Sequence, residues 1–380
     1  MPPQIGRLTS LPRLPRFVVH REKERGIAES KEFTNIQGDL LIENLENVAG
    51  SDDAQQANFK NKPLIDHLSL LWSEDHDQSS RDEQVEEEVA EGLQPHPNLK
   101  ILEIYYYRCT HFPSWMMKMD MLMLLPNLQV VLQYDCQRCN ILPPLGFLPS
   151  LSDLYIHKME QLKKIGHEFC GTAGGLLSSV KELRLGDLGN LEEWRDLSVG
   201  EANFPHLQKL NISHCPKMRR WLNIIPVLTK LDVSDGEGFD ELSLLLPSLS
   251  VLYMGGLGSE RLLKSVPCCC TSLSLLEICR IPSLNSMPPG MLEVLIQLKD
   301  LKIQKCEELL VTLLEEEKCG SQQQQQLQDE GLPSTLTSLL LTDCNNLISL
   351  PRETALISHP YQRKGFRVHF KDCRYMVVPH

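Results

Sequence analysis

Cysteine pairs are the first residues of this chain whose type and spacing suit a chemical role. Cys136 and Cys139 have the C-x-x-C spacing of a zinc site, but no second C-x-x-C or H-x-x-x-H pair stands at a suitable distance. The run Cys268–Cys270 has no identifiable general base beside it, and nucleophilic catalysis by a thiol depends on one. We therefore expect no metal site and no catalytic cysteine.

Carboxylate runs and one histidine are the remaining candidates for acid–base chemistry. Glu86–Glu88 and Glu315–Glu317 are interpreted as solvated runs, since catalytic carboxylates need a shaped cleft that shifts their pKa values. His96 stands in a Pro-His-Pro turn and is interpreted as a loop residue. The phosphate loop G-x-x-x-x-G-K-[ST] does not occur in the sequence, so no nucleotide site is indicated. The sequence predicts neither an enzyme nor a cofactor.

The charge of the chain is concentrated in one segment. The formal charge is −12, and residues 74–91 hold nine acidic residues and a single arginine. No basic stripe of the kind that binds nucleic acid is present elsewhere in the sequence. The uncharged stretch Leu242–Gly258 contains Pro247 and belongs to a leucine repeat, so we do not expect it to cross a membrane. These features argue against a nucleic-acid partner and against a membrane partner.

The cysteines indicate a reducing compartment. There are 13 of them, an odd number, and Cys136, Cys215, Cys306 and Cys344 fall in different repeats with no local partner at a fixed offset. The stretch Met1–Val19 contains no continuous apolar run, so a secretory signal is not expected there. Because disulfides are rare in reducing compartments, we predict free thiols and a cytoplasmic location.

A recurring leucine frame, L-x-x-L-x-[ILV]-x-x-[C/L/x], sets the elements that position the side chains. Successive frames begin about 27 residues apart on average, within the range of roughly 20–29 residues that is typical of leucine-rich repeats. Clear copies begin at Leu207, Leu298 and Leu336, and further copies begin at Ile65, Leu99, Leu128, Leu151, Val180, Leu228, Leu249 and Leu273.

The frame predicts an α/β repeat solenoid of the leucine-rich-repeat horseshoe type. A strand over positions three to seven of each frame would direct positions four and six inward and positions three, five and seven outward. We expect a parallel sheet on the concave face and a mostly irregular or short-helical convex side. Gln133 stands where an inward aliphatic residue is expected, which suggests a local slip or bulge. Buried thiols are expected at the ninth position, at Cys136, Cys215, Cys306 and Cys344.

Three regions follow from where the frame begins and ends. Residues 1–64 are predicted to form irregular N-terminal repeats, and residues 65–350 form the main array. The array is interrupted by an acidic insertion at 74–92, in which Val85, Val89 and Leu93 indicate a short helix after a loop. A second interruption, at 315–331, is a glutamine-rich low-complexity loop. Residues 351–380 are basic, lack the frame, and are predicted to be a tail or a cap.

Several segments within and between the frames carry a more specific signature. They are Ile5–Val19, Gly38–Val48, Leu68–Ser73, Gly92–Ile104, Phe112–Met116, Leu142–Ile156, Ile165–Gly171 and Leu191–Asp196. Over residues 5–350 the chain resembles the repeat region of plant intracellular immune receptors of the coiled-coil, nucleotide-binding, leucine-rich-repeat (NBS-LRR) class. In that family the repeats recognise a ligand and hold a nucleotide-binding switch domain in its resting state. Nucleotide binding is not carried over, because the phosphate loop is missing.

The outward strand positions are the candidate protein-binding surface of the concave face. Tyr105 and Tyr134 share position seven of adjacent repeats and should stack, while Tyr155 and Tyr253 share position five. Exposed tyrosines with apolar neighbours are typical of interface cores. Aromatic residues also suit strands for structural reasons, so that alternative stays open. The candidate site residues are Trp72, Tyr105, Tyr134, Tyr155, His157, Arg184, Lys209 and Tyr253.

The sequence therefore predicts a leucine-rich-repeat recognition module in plant defence. Its expected partner is a protein, either a pathogen effector or a host protein that an effector alters. A nucleotide-binding switch domain acting in trans is a further expected partner. Two alternatives remain at this point: a substrate-receptor or scaffold repeat protein, such as a ubiquitin-ligase adaptor, and a non-functional truncated receptor fragment.

Overall fold

The computed structural model describes residues 1–74, 82–118, 121–166, 169, 179–194, 204–218, 225–236, 246–258, 261–288, 290–309, 333–344 and 367–373. These residues belong to two compact units, Met1–Leu207 and Gln208–His380. Residues 75–81 of the acidic insertion and the whole low-complexity segment 315–331 lie outside the described residues.

The first unit is built on parallel strands. Those strands are β1 (Arg16–Val18), β2 (Gly38–Glu43), β3 (Ile65–Leu71), β4 (Ile101–Tyr105), β5 (Val130–Tyr134), β6 (Asp153–His157), β7 (Lys164–Ile165), β8 (Glu182–Gly186) and β9 (Glu193–Trp194). Strands β1 to β6 and β8 follow one another in a single parallel sheet, in chain order. β7 and β9 form a separate two-stranded parallel sheet. A parallel sheet in chain order requires a crossover between every pair of strands, which the repeat supplies.

The second unit repeats the arrangement. Its parallel strands are β10 (Lys209–Ser213), β11 (Lys230–Ser234), β12 (Val251–Gly255), β13 (Leu275–Cys279), β14 (Asp300–Gln304), β15 (Ser338–Thr342) and β16 (Arg367–Lys371). Each of them pairs with the next, and no register shift interrupts the paired residues. The predicted parallel sheet is confirmed in both units.

The strands lie where the leucine frame places them. β4, β5, β6, β8 and β10 to β15 cover positions three to seven of their frames, and β3 begins two residues earlier. Positions four and six are buried throughout, as Leu210, Ile212 and Leu301 illustrate. Each aliphatic side chain among them contributes about 1.5–3 kcal/mol on leaving water. Because that gain recurs in every repeat, the alternation of the frame fixes which face of each strand turns inward.

A left-handed residue ends the strands and aims position nine into the core. Its N–H donates to the carbonyl of the last residue of the next strand, at 3.0 Å for Tyr106 and 2.9 Å for Asp135. The expected burial of cysteine at position nine is confirmed for all four predicted residues, Cys136, Cys215, Cys306 and Cys344. Residues of this kind, all with φ between 51° and 59°, are Tyr106, Asp135, Lys158, Asp187, His214, Asp235, Gly256, Arg280, Lys305, Asp343 and Asp372.

Gln133 does not cause the predicted slip or bulge. It lies in regular register between Ile104 and Ile156, and its side chain is fully buried. Among the described residues, neither Oε1 nor Nε2 of Gln133 has a hydrogen-bond partner. The free energy gained by keeping β5 in register therefore outweighs the cost of burying one amide, because a slip by one residue would turn every inward side chain of β5 to the other face.

The C-terminal region contains a strand that the sequence did not predict. Arg367–Lys371 pairs in parallel with β15, and Asp372 and Cys373 follow it in the eighth and ninth positions of the repeat. The frame is hard to recognise there because glycine stands at its first position, Gly365, and an aromatic residue at its sixth, Phe370.

Connections between the strands hold only short helices among the described residues, in agreement with the predicted convex side. The α-helices are Ser51–Gln56, Glu83–Gly92, Ser114–Met117, Met121–Leu124, Arg261–Cys269 and Met291–Val294. The helix indicated by the valine spacing is confirmed at Glu83–Gly92, where the Asp82 side chain accepts the N–H of Gln84 at 3.0 Å. Short 3-10 helices occupy Ile5–Arg7, Lys23–Arg25, Ile27–Glu32, Leu45–Asn47, Phe59–Asn61 and Leu145–Phe147.

A buried lysine holds two of the N-terminal connections together. Lys62 is 2% exposed, and its Nζ donates to the carbonyls of Ser30 at 2.8 Å and Phe33 at 3.0 Å. Burial lowers the pKa of Lys62 to about 8, although the charge of Glu32 acts in the opposite direction. The ammonium group thus satisfies carbonyls near the end of the 3-10 helix Ile27–Glu32.

Candidate functional site

The outward side chains of β2 to β6 and β8 form a surface that we call the open face. They stand in three rows, because parallel strands in register align their outward positions. The first row is Asp39, His67, Ile101, Val130, Asp153 and Glu182; the second is Leu41, Ser69, Glu103, Leu132, Tyr155 and Arg184; the third is Glu43, Leu71, Tyr105, Tyr134, His157 and Gly186.

Tyrosines gather at the third row of the open face. Tyr105 and Tyr134 are direct partners in the sheet, and their ring centroids lie 6.0 Å apart at 50°. The two residues are neighbours on the sheet, as predicted, but their rings are tilted to one another and not stacked. Tyr106, which follows β4, lies 6.5 Å from Tyr105 and 6.0 Å from Tyr134. His157 continues the row, 6.3 Å from Tyr134. Each of these rings keeps part of its surface accessible to solvent.

Cationic side chains of the same chain cover two of the tyrosine rings. Lys158 Nζ lies 5.0 Å from the centre of the Tyr134 ring, and the Arg184 guanidinium lies 5.0 Å from that of Tyr155. Arg184 is also held by Glu182 at 2.5 Å. The contacts are within the distance at which a ring quadrupole attracts a cation. Five predicted residues thus lie together on this part of the open face: Tyr105, Tyr134, Tyr155, His157 and Arg184.

A carboxylate network lies beside the tyrosines. Glu103 Oε2 accepts hydrogen bonds from the hydroxyls of Ser69 at 2.7 Å and Tyr105 at 3.2 Å, and it lies 3.1 Å from His67 Nε2. On the other side of the ring, His67 Nδ1 lies 3.5 Å from Asp39 Oδ1. Three donors therefore converge on a single oxygen of Glu103.

These contacts set the protonation of the network. The hydrogen bond between His67 and Glu103 raises the pKa of the histidine above 6.5 and lowers the pKa of the carboxyl below 4.5. Burial, with a further contribution from Glu103, raises the pKa of Tyr105 to about 12. Burial lowers the pKa of His157. At neutral pH the open face therefore presents an ionised Glu103 and a neutral Tyr105 that donates to it.

Ser69, His67 and Asp39 are the residue types of a serine-hydrolase triad, and Ser69 Oγ lies 3.2 Å from His67 Nε2. Glu103 changes what this group can do. Its carboxylate takes the hydroxyl hydrogen of Ser69 and also faces the same histidine nitrogen. A histidine nitrogen that donates to a carboxylate cannot accept the proton of a serine nucleophile. The arrangement is therefore suited to holding a fixed negative charge.

Two predicted residues lie on the second unit. Lys209 is exposed at the first position of β10, where it pairs in register with Lys230 of β11. Tyr253 stands at the middle of β12, the same position that Tyr155 has in β6, as predicted. The Lys230 ammonium lies 4.9 Å from the centre of the Tyr253 ring.

Trp72 does not lie on the exposed surface, and its placement there was wrong. It is 1% exposed, and its ring packs 5.1 Å from that of Tyr107. Trp72 stands at position eight of its frame, but it is not among the left-handed residues that occupy this position in later repeats. Without the left-handed turn the side chain enters the core one position early. Trp72 is therefore part of the core.

The interpretation of Glu86–Glu88 as a solvated run was wrong for its first residue. Glu86 is 5% exposed, and its Oε1 accepts the backbone N–H of Arg108 at 3.1 Å. Glu83 Oε1 accepts the N–H of Thr110 at 3.0 Å in the same way. The acidic helix therefore holds the loop after β4 in place, which satisfies backbone donors that burial would otherwise leave unpaired.

The cysteines are not arranged for metal binding or for nucleophilic chemistry in the part of the chain that the structure describes. No cluster of three potential metal ligands occurs there, and its cysteines are free thiols. Burial raises the pKa of Cys136 and of Cys139 well above the ordinary value, and that of Cys109 to about 12. These thiols remain protonated at neutral pH, as structural cysteines do.

The family described as R13L1/DRL21 leucine-rich repeats matches residues 27–159, which include most of the open face. A disease resistance protein of Solanum bulbocastanum, RGA1, is 30% identical over 306 residues, which is 80% of this chain and 27% of the relative. The chain has the leucine-rich repeats of plant NBS-LRR disease resistance proteins.

Other proteins that match this chain are also disease resistance proteins. A disease resistance protein of Arabidopsis thaliana is 33% identical over 239 residues, covering 60% of this chain and 16% of the relative. The chain spans between 16% and 32% of the length of the curated relatives that it matches. Among solved structures, an internalin of Listeria monocytogenes superposes with a TM-score of 0.51 at 14% identity, over 96% of this chain and 87% of the internalin. This likeness shows the leucine-rich-repeat fold.

Two features of the resistance-type repeats were missed in the sequence. Tyr106 and Lys158 contribute to the tyrosine cluster from position eight, which the frame leaves unspecified. The recurrence of aspartate and glycine directly before position nine was the available signal, since these residues adopt the left-handed conformation more readily than most. No helix among the described residues is long and apolar enough to cross a membrane.

Proposed function

We propose that this chain is a recognition module in plant defence that binds a protein ligand on the open face of its first unit. The single observation that carries the proposal is the cluster of the partly exposed residues Tyr105, Tyr106 and Tyr134, whose rings lie close together at the ends of β4 and β5. The ligand class is a pathogen effector, or a host protein that an effector alters.

The composition of the open face supports binding of a protein. Tyrosine is enriched at interface hot spots, because it adds a large contact area with few rotatable bonds. Leu71 pairs with Tyr105 and Leu132 pairs with Tyr155 in the sheet, and both leucines keep part of their surface exposed. The strand backbones are paired within the sheet, so a ligand would meet side chains.

The relatives support the place in defence and the kind of activity. Leucine-rich repeats are typically modules of protein interaction without enzymatic activity, and the matched proteins are disease resistance proteins. Their whole-protein partners carry over only as proposals, given how little of their length is matched. We include among these a nucleotide-binding switch domain acting in trans, and a cytoplasmic location, which the free thiols support.

Proximity labelling in leaf tissue exposed to a pathogen tests the proposal. The full chain, fused to a biotin ligase, is compared with the double variant Tyr105→Ala, Tyr134→Ala. The control is Met123→Ala, since Met123 is 82% exposed but lies in a connection between strands. We expect at least one protein labelled by the wild type and the control and lost with the double variant. Identical labelling by all three proteins would refute an open-face site.

A further inference from the structure

Tyr105 differs from the other tyrosines at outward strand positions. Lys158 covers Tyr134, Arg184 covers Tyr155 and Lys230 covers Tyr253, each at 4.9–5.0 Å. No lysine or arginine of the described chain covers Tyr105, whose ring neighbours are Tyr106 and Tyr134. The same kind of strand tyrosine thus has a cation in three repeats and none in this one.

The surroundings of Tyr105 are acidic. Its hydroxyl donates to Glu103, and the outward positions of β2 to β5 include Asp39 and Glu43 but no lysine or arginine. Arg16 neutralises Glu43 at 2.6 Å, whereas His67 is the only basic side chain of the described residues that pairs with Asp39 and Glu103. Asp39 and Glu103 therefore have no lysine or arginine partner among the described residues.

The carboxylate beside Tyr105 is fixed and accessible. Three donors hold Glu103 Oε2, and the side chain keeps 21% of its surface exposed. Its pKa is lowered by the hydrogen bond from His67, so it is ionised at neutral pH. A carboxylate that is already oriented loses little freedom on binding a charged donor, which favours a charge-assisted hydrogen bond.

We propose that Tyr105 and Glu103 form a docking site for an arginine side chain of the protein partner. The inference rests on the proposed function and names the chemistry that the partner presents. The guanidinium stacks on the tyrosine ring while its N–H groups donate to Glu103. Arginine is favoured over lysine because its planar, weakly hydrated group combines both contacts, whereas an ammonium group is a strongly hydrated point charge.

Titration with single amino-acid amides tests the site without a known partner. The full chain, labelled with ¹³C in tyrosine, has eight tyrosines, so the ring resonances can be assigned by substitution. The probes are N-acetyl-arginine amide, N-acetyl-lysine amide and the uncharged isostere N-acetyl-citrulline amide. We expect the arginine probe to shift the resonances of Tyr105 and Tyr106 at lower concentration than the lysine probe, with no saturable shift from citrulline.

Variants separate the two contacts. Glu103→Gln should weaken the arginine probe about tenfold, as expected for loss of a charge-assisted hydrogen bond. Tyr105→Ala should weaken it about two- to fivefold by loss of the ring, read from the Tyr106 resonance. Tyr253→Phe is the matched control and should leave the affinity unchanged. Thermal melting of each variant verifies that it is folded.

The outcomes are distinct from those of the proposed function. Equal shifts from arginine and citrulline, tighter binding of lysine, or an unaffected Glu103→Gln variant would each overturn the arginine site. If proximity labelling still depends on Tyr105 and Tyr134 in that case, only the chemistry of the docking site is wrong. If the arginine probe binds as expected while labelling does not depend on the open face, the site exists but the proposed recognition role fails.

Discussion

Replacing Gln133 with methionine should stabilise the first unit. The amide is fully buried between Ile104 and Ile156, and neither of its polar atoms has a partner among the described residues. Leaving a buried polar group unsatisfied costs about 1–3 kcal/mol. Methionine keeps the unbranched shape, adapts to irregular gaps in a core and needs no hydrogen-bond partner, so its packing cost is small compared with this gain. We therefore expect Gln133→Met to raise the free energy of unfolding by about 1–2 kcal/mol.

Hydrogen exchange measured by mass spectrometry is the appropriate assay, because two compact units need not unfold together. Peptides that cover β4, β5 and β6 should exchange more slowly in the variant, while peptides of β12 and β13 should be unchanged. The control is Gln129→Met in the same repeat, where the side chain is exposed and the change should stay within about 0.5 kcal/mol. Faster exchange in Gln133→Met would refute the reasoning and indicate that buried water satisfies the amide.

Three further predictions concern other parts of the fold. Gly256→Ala should destabilise the second unit more than Gly290→Ala, by up to about 1 kcal/mol in urea unfolding. Both residues have positive φ, but only at Gly256 would an added Cβ clash with a carboxylate, that of Asp235, which would then have to move away from its partner Arg280. Equal costs of the two substitutions would contradict this prediction. Lys62→Met should cost about 1–3 kcal/mol by leaving buried carbonyls unpaired, and an unchanged melting temperature would count against it. His67→Gln should lower the melting temperature most between pH 4.5 and 6.5. Because the pKa of His67 is raised, the pair stabilises the fold below pH 6.5, and this stabilisation is lost as the pH rises through the pKa of the folded state. Because the pKa of Glu103 is lowered, its stabilisation is present above pH 4.5 and is lost as the pH falls. A difference in melting temperature that does not depend on pH would refute this prediction.

The open face shows how far outward positions can be read from the sequence. The pairing of Tyr105 with Tyr134 followed from their shared position in the frame, because the register of parallel repeats conserves position. The cations that cover Tyr134 and Tyr155 did not follow, since they depend on side-chain directions at neighbouring strands and at the left-handed residue. Position in the repeat is a local property, whereas contact between side chains is not.

The amino-acid sequence by itself determined the period, the strands and the inward alternation. A leucine at every third or second position recurs within each frame, and burying it yields the same free-energy gain in every repeat. That regularity places strands such as β4 and β14 at the residues where they are found. The resistance-type segments between the frames identified the family in the same local way.

Only the tertiary structure decided where individual exceptions lie. Trp72 entered the core, Glu86 became a buried acceptor for the N–H of Arg108, and Gln133 stayed in register. Each outcome depends on a segment some 20 to 35 residues away in the chain that covers or pairs with the residue. Arg367–Lys371 became a strand because β15 offered an unpaired edge. The physical reason is common to all four, since stacking of repeats assigns burial and pairing between neighbours that no single repeat specifies.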